Sequence, residues 1–231
     1  MREIVFDTET TGLDPYQGDR LVELGCVELV NGFPTGNNFH AYLNPERDVP
    51  EAAFNVHGLS LEFLKDKPLF ADICEEFLAF VADAPLIAHN AMFDLGFVNA
   101  ELERCKKPPL QRERLVDTLL LARRRFPAGP NSLDQLCARF LVDTSRRTKH
   151  GALLDAELLA EVYVELTGKR QARLGLIDAP IAVAQQAVLT RRVREAPLPP
   201  RLTEVERAAH RAFVATLGEK PIWNDYLPSA A

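Results

Sequence analysis

The sequence is poor in cysteine, has a single tryptophan, carries no excess of positive charge and contains no long apolar run. Its four cysteines in 231 residues, Cys26, Cys74, Cys105 and Cys137, are scattered. With no C-x-x-C spacing and no nearby histidine pair, they read as small buried apolar residues of a reducing compartment rather than as a redox or metal framework. The formal net charge of −6 argues against a protein that grips nucleic acid mainly by electrostatics. It leaves room for a nucleic-acid enzyme, because metal-binding carboxylates add to that charge and bound cations offset it locally. No apolar run reaches about 18 residues, which argues against a membrane helix. Met1 leads straight into a strand pattern without the signature of a signal peptide, so a cytoplasmic location is expected. There is no internal repeat. What remains is 47% hydrophobic and 26% charged, ordinary for a globular protein with a real core, either one large domain or one domain with a tail.

The pattern along the chain is strands first, then helices and strands in alternation. Residues 3–8 read as a buried strand, 21–30 as a second ending at the hairpin signal Asn31-Gly32, and 37–44 as a third, which makes the start of the sheet antiparallel. The period then changes. Phe70, Ile73, Phe77, Phe80 and Val81 stand at helical spacing within 69–83, 85–90 is a short apolar strand, 92–105 is an amphipathic helix and 115–118 is another strand. Ser132 is an N-cap for a helix to 140, and 152–167 is a helix closed by Gly168. These units predict an α/β protein with a mixed sheet and helices packed on it. Beyond Gly168 the texture differs. Residues 169–202, basic and containing EAPLPPR at 195–201, read as a linker arm, although 177–190 is apolar enough to fold on a partner. Thr203-Glu204-Val205-Glu206 is a capping box opening a helix, before a tail with Trp223.

Five residues carry the chemistry: Asp7 and Glu9 in DTETTG, Asp94 in HNAMFD, and His150 and Asp155 in HGALLD. Clustered acidic side chains cost free energy through repulsion and desolvation unless a cation neutralises them. Asp7 and Glu9, two apart on a strand, project from one face. Taken alone, DTETTG is a polar strand end and Asp94 a helix cap or solvated charge at the dipole-favoured first turn. Asp155 shares its helix face with Leu158, Leu159 and Val162, so it points inward or to the rim and needs a partner, which a metal shared with Asp7 would supply. Gly151 leaves His150 on a mobile loop. Imidazole side chains move protons near neutral pH, which suits a general base beside a metal.

The stretches IVFDTETTG (4–12), TGNNFHAYLNP (35–45), VHG (56–58), HNAMFDLGF (89–97), NSLDQLCARF (131–140) and RTKHGALLDAELLAEVY (147–163) resemble the DEDD exonucleases of the subtype with a catalytic histidine, over about residues 2–168. The closest likeness is to the proofreading members of that family. The resemblance implies a ribonuclease-H-like mixed sheet with helices on both faces, followed by a C-terminal arm and short helix. It implies 3′–5′ hydrolysis with two divalent ions, Mg²⁺ or Mn²⁺, flanking the scissile phosphodiester. Asp7 would bridge the ions, Glu9 and Asp155 would complete one shell, and Asp94 would hold the second ion directly or through water. His150 would take a proton from the attacking water, and a nucleoside 5′-monophosphate would leave. Asp7, Glu9 and Asp155 would also meet the substrate, as would His57, which matches a position contacting the terminal nucleotide; the alternative for His57 is loop packing. Members of the family carry an acid five residues before that histidine, where this chain has Ala52, and Glu51 one place earlier is left out of the site.

The resemblance also implies a division into an exonuclease domain (1–168), a linker with a clamp-binding peptide (169–202) and a polymerase-docking segment (203–231). The expected substrate is a single-stranded or frayed 3′ end of DNA, since the last nucleotides must leave the duplex to reach a pocket. The basic clusters Arg123-Arg124-Arg125 and Arg146-Arg147-Lys149 are read as solvated helix faces before DNA contacts, so binding is weak and tethering compensates. Gln171, Leu174 and Leu176 resemble a sliding-clamp motif with Leu176 in place of the usual aromatic; 185–190 is a competing match and a plain linker the remaining alternative. The helix from 203 and Trp223 resemble the segment that docks on the catalytic (alpha) subunit of the bacterial replicative polymerase, a location in the replisome at the nucleoid. The alternatives are an exoribonuclease trimming short RNA or tRNA ends, whose members commonly lack such a tail, and a non-catalytic scaffold, which the five intact residues oppose.

Overall fold

In the computed structural model of the protein, which describes residues 1–147, 149–168 and 202–217, five strands form one sheet. They are β1 (Arg2–Thr10), β2 (Leu21–Val30), β3 (Phe33–Tyr42), β4 (Leu86–Ala88) and β5 (Leu115–Asp117), in the order β3-β2-β1-β4-β5. β1–β2 and β2–β3 pair antiparallel, while β1–β4 and β4–β5 pair parallel, so the sheet is mixed as expected. Around it lie α1 (Glu51–His57), α2 (Leu61–Leu64), α3 (Phe70–Val81), α4 (Ala91–Arg104), α5 (Thr118–Arg125), α6 (Leu133–Phe140) and α7 (Ala152–Thr167). All of these belong to a unit within residues 1–174; α8 (Glu204–Ala215) belongs to a second unit within 175–231. Its Thr203–Glu206 capping box is formed: the Glu206 amide donates to Thr203 Oγ1 at 3.2 Å and the Thr203 amide to Glu206 Oε2 at 2.8 Å.

Strand alternation sorts the core into two layers. Ile4 and Phe6 of β1 and Cys26 of β2 pack with Phe77 of α3 and Leu95 and Phe97 of α4. Val5, Val27 and Ile87 face the other way, against Ala156, Leu159 and Tyr163 of α7. Burying each of these large apolar side chains contributes about 1.5–3 kcal/mol, which is why α7 must lie flat on the centre of the sheet. Gly25 makes that approach possible, because any Cβ there would collide with the Ala152–Leu153 backbone. Tyr163 completes the seam by donating its hydroxyl hydrogen to Glu3 Oε1 at 2.7 Å. On the outer side of α7, Leu158 and Val162 bury against Ala122, Leu136 and Cys137 of α5 and α6.

The expected elements appear with shifted ends. β3 begins at Phe33 rather than 37, because Pro34 sits on the edge strand, where a missing N–H costs no ladder bond. α1 and α2 had no counterpart in the sequence reading, and α5 was met there only as the helix face of Arg123-Arg124-Arg125. α5 follows β5 without a gap, since Asp117 ends the strand and accepts from the Leu119 amide at 2.8 Å as N-cap. The Ser132 N-cap and the Gly168 C-cap form as expected, the latter in the left-handed region at φ 67°. The cysteines are all free; Cys26, Cys74 and Cys137 are buried and Cys105 partly so. Among the described residues no helix is long and apolar enough to cross a membrane.

Candidate active site

The C-terminal half of β1 carries the site. Asp7 and Glu9 lie on the face that α7 covers, and Asp155, in the first turn of α7, comes down beside them. Glu9 is 8% and Asp155 3% exposed, while Asp7 is half-buried. Donor atoms of Glu9, Asp155 and the exposed His150 lie within 4.8 Å of one another. Asp94 arrives from the opposite layer. Asn90 takes a left-handed conformation at φ 62°, tolerated by asparagine, and turns the chain from β4 straight into α4. Thr8, pointing to that layer, then donates its hydroxyl hydrogen to Asp94 Oδ1 at 2.7 Å. Asp94 is 3% exposed, so it is neither a solvated charge nor a surface cap.

Burial and mutual repulsion push these acids toward neutrality. Asp7 is raised well above the usual carboxylate range, first by burial, then by Asp94, Glu9, Asp155 and Glu23. Glu9 is pushed up to about 8 by burial, then by Asp155, Glu23 and Asp94, with Arg147 pulling the other way. Asp94 is pushed up to about 7, again chiefly by burial, against the opposing bond from Thr8. So many carboxylates gathered in low dielectric make up the donor set of a cation site. An oxygen-rich donor set with one imidazole suits a hard divalent ion such as Mg²⁺ or Mn²⁺. Asp155 Oδ1, buried and without a hydrogen-bond partner, is an orphan acceptor that such an ion would satisfy.

Two residues of the site were not anticipated. Glu23 of β2 stands directly across from Glu9, 3% exposed, with Oε1 2.7 Å from His40 Nε2. Its signal was present in the sequence: alternation in LVELGCVELV puts it on the face of Gly25, which abuts α7. The other is Arg147: of Arg146-Arg147-Lys149, read as a solvated helix face, Arg146 and Lys149 are exposed but Arg147 is not, and none of the three is on a helix. These residues lie on the loop between α6 and α7, and the Arg147 side chain is only 9% exposed. Its Nη2 donates to Asp155 Oδ2 at 2.7 Å, and Nε faces Oδ1 at 2.7 Å without the alignment of a hydrogen bond. Asp155 thus has this guanidinium as a partner, in addition to any ion its Oδ1 would hold. Arg123, Arg124 and Arg125 are exposed at the end of α5, and Arg125 caps α7 by donating to Glu165 O at 2.6 Å and Leu166 O at 3.1 Å.

His57 ends α1 and is 5% exposed, which lowers its pKa. Nδ1 accepts from the Leu59 amide at 2.9 Å, so the neutral ring carries its proton on Nε2, which has no hydrogen-bond partner. Glu51, the first residue of α1, is exposed. Gln171, Leu174, Leu176, the 185–190 stretch and Trp223 lie outside the described residues.

The signature of the RNase T exonuclease family matches residues 4–163. The DNA polymerase III subunit epsilon of Rickettsia felis is 48% identical over 222 residues, covering 94% of this chain and 97% of that one. That of Escherichia coli is 44% identical over 229 residues, covering 95% and 94%. The chain belongs to the RNase T exonuclease family, on its DNA polymerase III epsilon-subunit branch. It is a nuclease. The fold agrees: the nuclease domain of 3′hExo, a DEDDh family member solved with rAMP, superposes with a TM-score of 0.63 over 72% of this chain and 92% of that domain, at 14% identity. The sheet is thus the ribonuclease-H-like sheet of the DEDDh exonucleases, with family helices on both of its faces.

Proposed function

We propose that the chain is the 3′–5′ exodeoxyribonuclease that proofreads for DNA polymerase III, removing mispaired 3′-terminal nucleotides from a single-stranded or frayed DNA end during replication in the bacterial cytoplasm. The observation that carries this reading is the convergence of Asp7, Glu9, Asp94 and Asp155 at one end of β1, with His150 within 4.8 Å of Glu9 and Asp155. Two ions, Mg²⁺ or Mn²⁺, would be held by Asp7, Glu9, Asp94 and Asp155. Such ions would offset the carboxylate repulsion and supply positive charge to the phosphodiester as it is cleaved. His150, on the exposed rim beside Asp155, takes the proton of the attacking water. Water oxygen bonds to phosphorus, the bond from phosphorus to the 3′ oxygen breaks, and that oxygen takes a proton from solvent to become the hydroxyl of the shortened strand. His57 Nε2–H, buried beside the Thr10 backbone, is the donor that would meet the terminal nucleotide.

A 3′-labelled single-stranded DNA oligonucleotide should release labelled 5′-mononucleotide, with release abolished by a chelator and restored by Mn²⁺. Faster release from RNA of the same sequence would favour the RNA-trimming reading instead. The chain would divide into the exonuclease domain (1–168), a tethering arm (169–202) and a segment docking on the alpha subunit (203–231). Substituting Gln171→Ala with Leu174→Ala should weaken binding to the sliding clamp while nuclease activity persists; unchanged binding rules that peptide out. Truncation at about residue 200 should abolish copurification with the alpha subunit, since tethering replaces intrinsic DNA affinity.

A further inference from the structure

We infer that Arg147 competes with a divalent ion for Asp155: the guanidinium that pairs with Asp155 and His150 gives up Asp155 when the ion binds. The inference rests on the proposed metal site and concerns what that site does before it is loaded. Arg147 is the cation in direct contact with Asp155, and its charge also lowers the cost of ionising Glu9. A guanidinium stays charged at any physiological pH, so it remains a positive partner that a divalent ion must compete with at Asp155. A compact divalent ion outcompetes a delocalised monovalent one at carboxylate oxygens, and the poorly aligned contact between Nε and Oδ1 leaves half of the pair weakly bonded.

The surroundings of Arg147 fit such an exchange. Its Nη1 is also paired with Asp134 of α6, whose side chain is 64% exposed. Asp134 can keep the guanidinium after Asp155 is given up, at the edge of an open polar cleft lined by Asp134, Thr144, Arg147, Lys149 and His150. The same guanidinium governs the histidine. Nη2 lies 2.6 Å from His150 Nδ1 and can only donate, so Nδ1 is an acceptor and carries no proton. The 3.1 Å approach of His150 Nδ1 to Asp155 Oδ2 is then two acceptors sharing one donor rather than a bond between them. Displacement of Arg147 would release both groups together, so loading the ion and freeing the proton acceptor become one event.

The test is calorimetric titration of the full chain with Mn²⁺ alone, without nucleic acid, beside thermal melts with chelator and with Mn²⁺. Arg147→Met should bind Mn²⁺ at least about threefold more tightly than the wild type, and its metal-free melting temperature should drop, which enlarges the rise produced by the ion. Arg147→Lys, which keeps the charge, should bind within about twofold of the wild type. Equal or weaker Mn²⁺ binding by a folded Arg147→Met overturns the inference and makes the arginine an orienting partner of Asp155. If Arg147→Met folds only with the ion present, the exchange is supported in its extreme form. If it does not fold at all, Asp134→Asn decides. Loss of the residue that receives the displaced guanidinium should weaken Mn²⁺ binding about threefold or more at low and at high salt alike, where a general charge effect would be screened. Unchanged binding, or a loss that salt erases, overturns it. A wild type that binds no Mn²⁺ fails the proposed function itself, a separate result.

Discussion

Replacing His150 by alanine should lower turnover by about 10²–10⁴-fold, the usual contribution of a positioned general base, while Mn²⁺ affinity changes by less than about threefold. The asymmetry follows from where the side chain sits. It is 47% exposed, so its removal leaves neither a cavity nor an unpaired buried group. Asp7, Glu9 and Asp155 keep their oxygens, and Arg147 still has Asp155 and Asp134 as partners. Single-turnover cleavage of a 3′-labelled oligonucleotide, with calorimetric titration of the ion, separates the two roles. Equal loss of rate and of metal binding would mean that His150 is a ligand rather than a base.

The second large effect is on stability. In the presence of a chelator the melting temperature should fall by at least about 5 °C between pH 5 and pH 8, and excess Mg²⁺ at pH 8 should restore most of it. Glu9 rises from 4.5 to about 8 and Asp94 from 3.8 to about 7 in the folded protein, with burial as the first cause of both. Between the unfolded and folded values the folded state holds protons that the unfolded chain has released, so the slope of stability against pH is negative there. The contribution is fully present below the unfolded values near 4 and is lost as pH rises through the folded ones. This is the reverse of the common carboxylate case, because burial and mutual repulsion outweigh the one guanidinium, Arg147, that lowers Glu9. Differential scanning fluorimetry across that range is the measurement. A flat or rising profile under chelation would mean that the acids are not jointly buried.

Legibility tracked the distance over which each feature is encoded. α7 was readable because sixteen residues of apolar periodicity end in a glycine, and both signals are local. α1 and α2 were not, since seven and four residues are too few to show a period. α5 was legible only at its basic end, Arg123–Arg125, because Asp117 serves at once as strand end and helix cap and hides where the helix begins. The start of β3 was missed because Phe33-Pro34-Thr35-Gly36 has turn composition, and only pairing with β2 keeps it extended.

By itself the sequence determined the identity and order of Asp7, Glu9, Asp94, His150 and Asp155. Strand and helix periods, properties of a few consecutive residues, also determined that Asp7 and Glu9 share a face and that Asp155 turns inward. The tertiary structure decided what stands opposite them. Glu23 joins through the pairing of β1 with β2, Thr8 holds Asp94 from the layer behind the sheet, and a loop folds Arg147 onto Asp155. Local periodicity specifies the face a side chain presents. Which charge it meets there depends on strand pairing and on layers packed across the sheet, so the cation balancing Asp155 could not be read from a row of three basic residues.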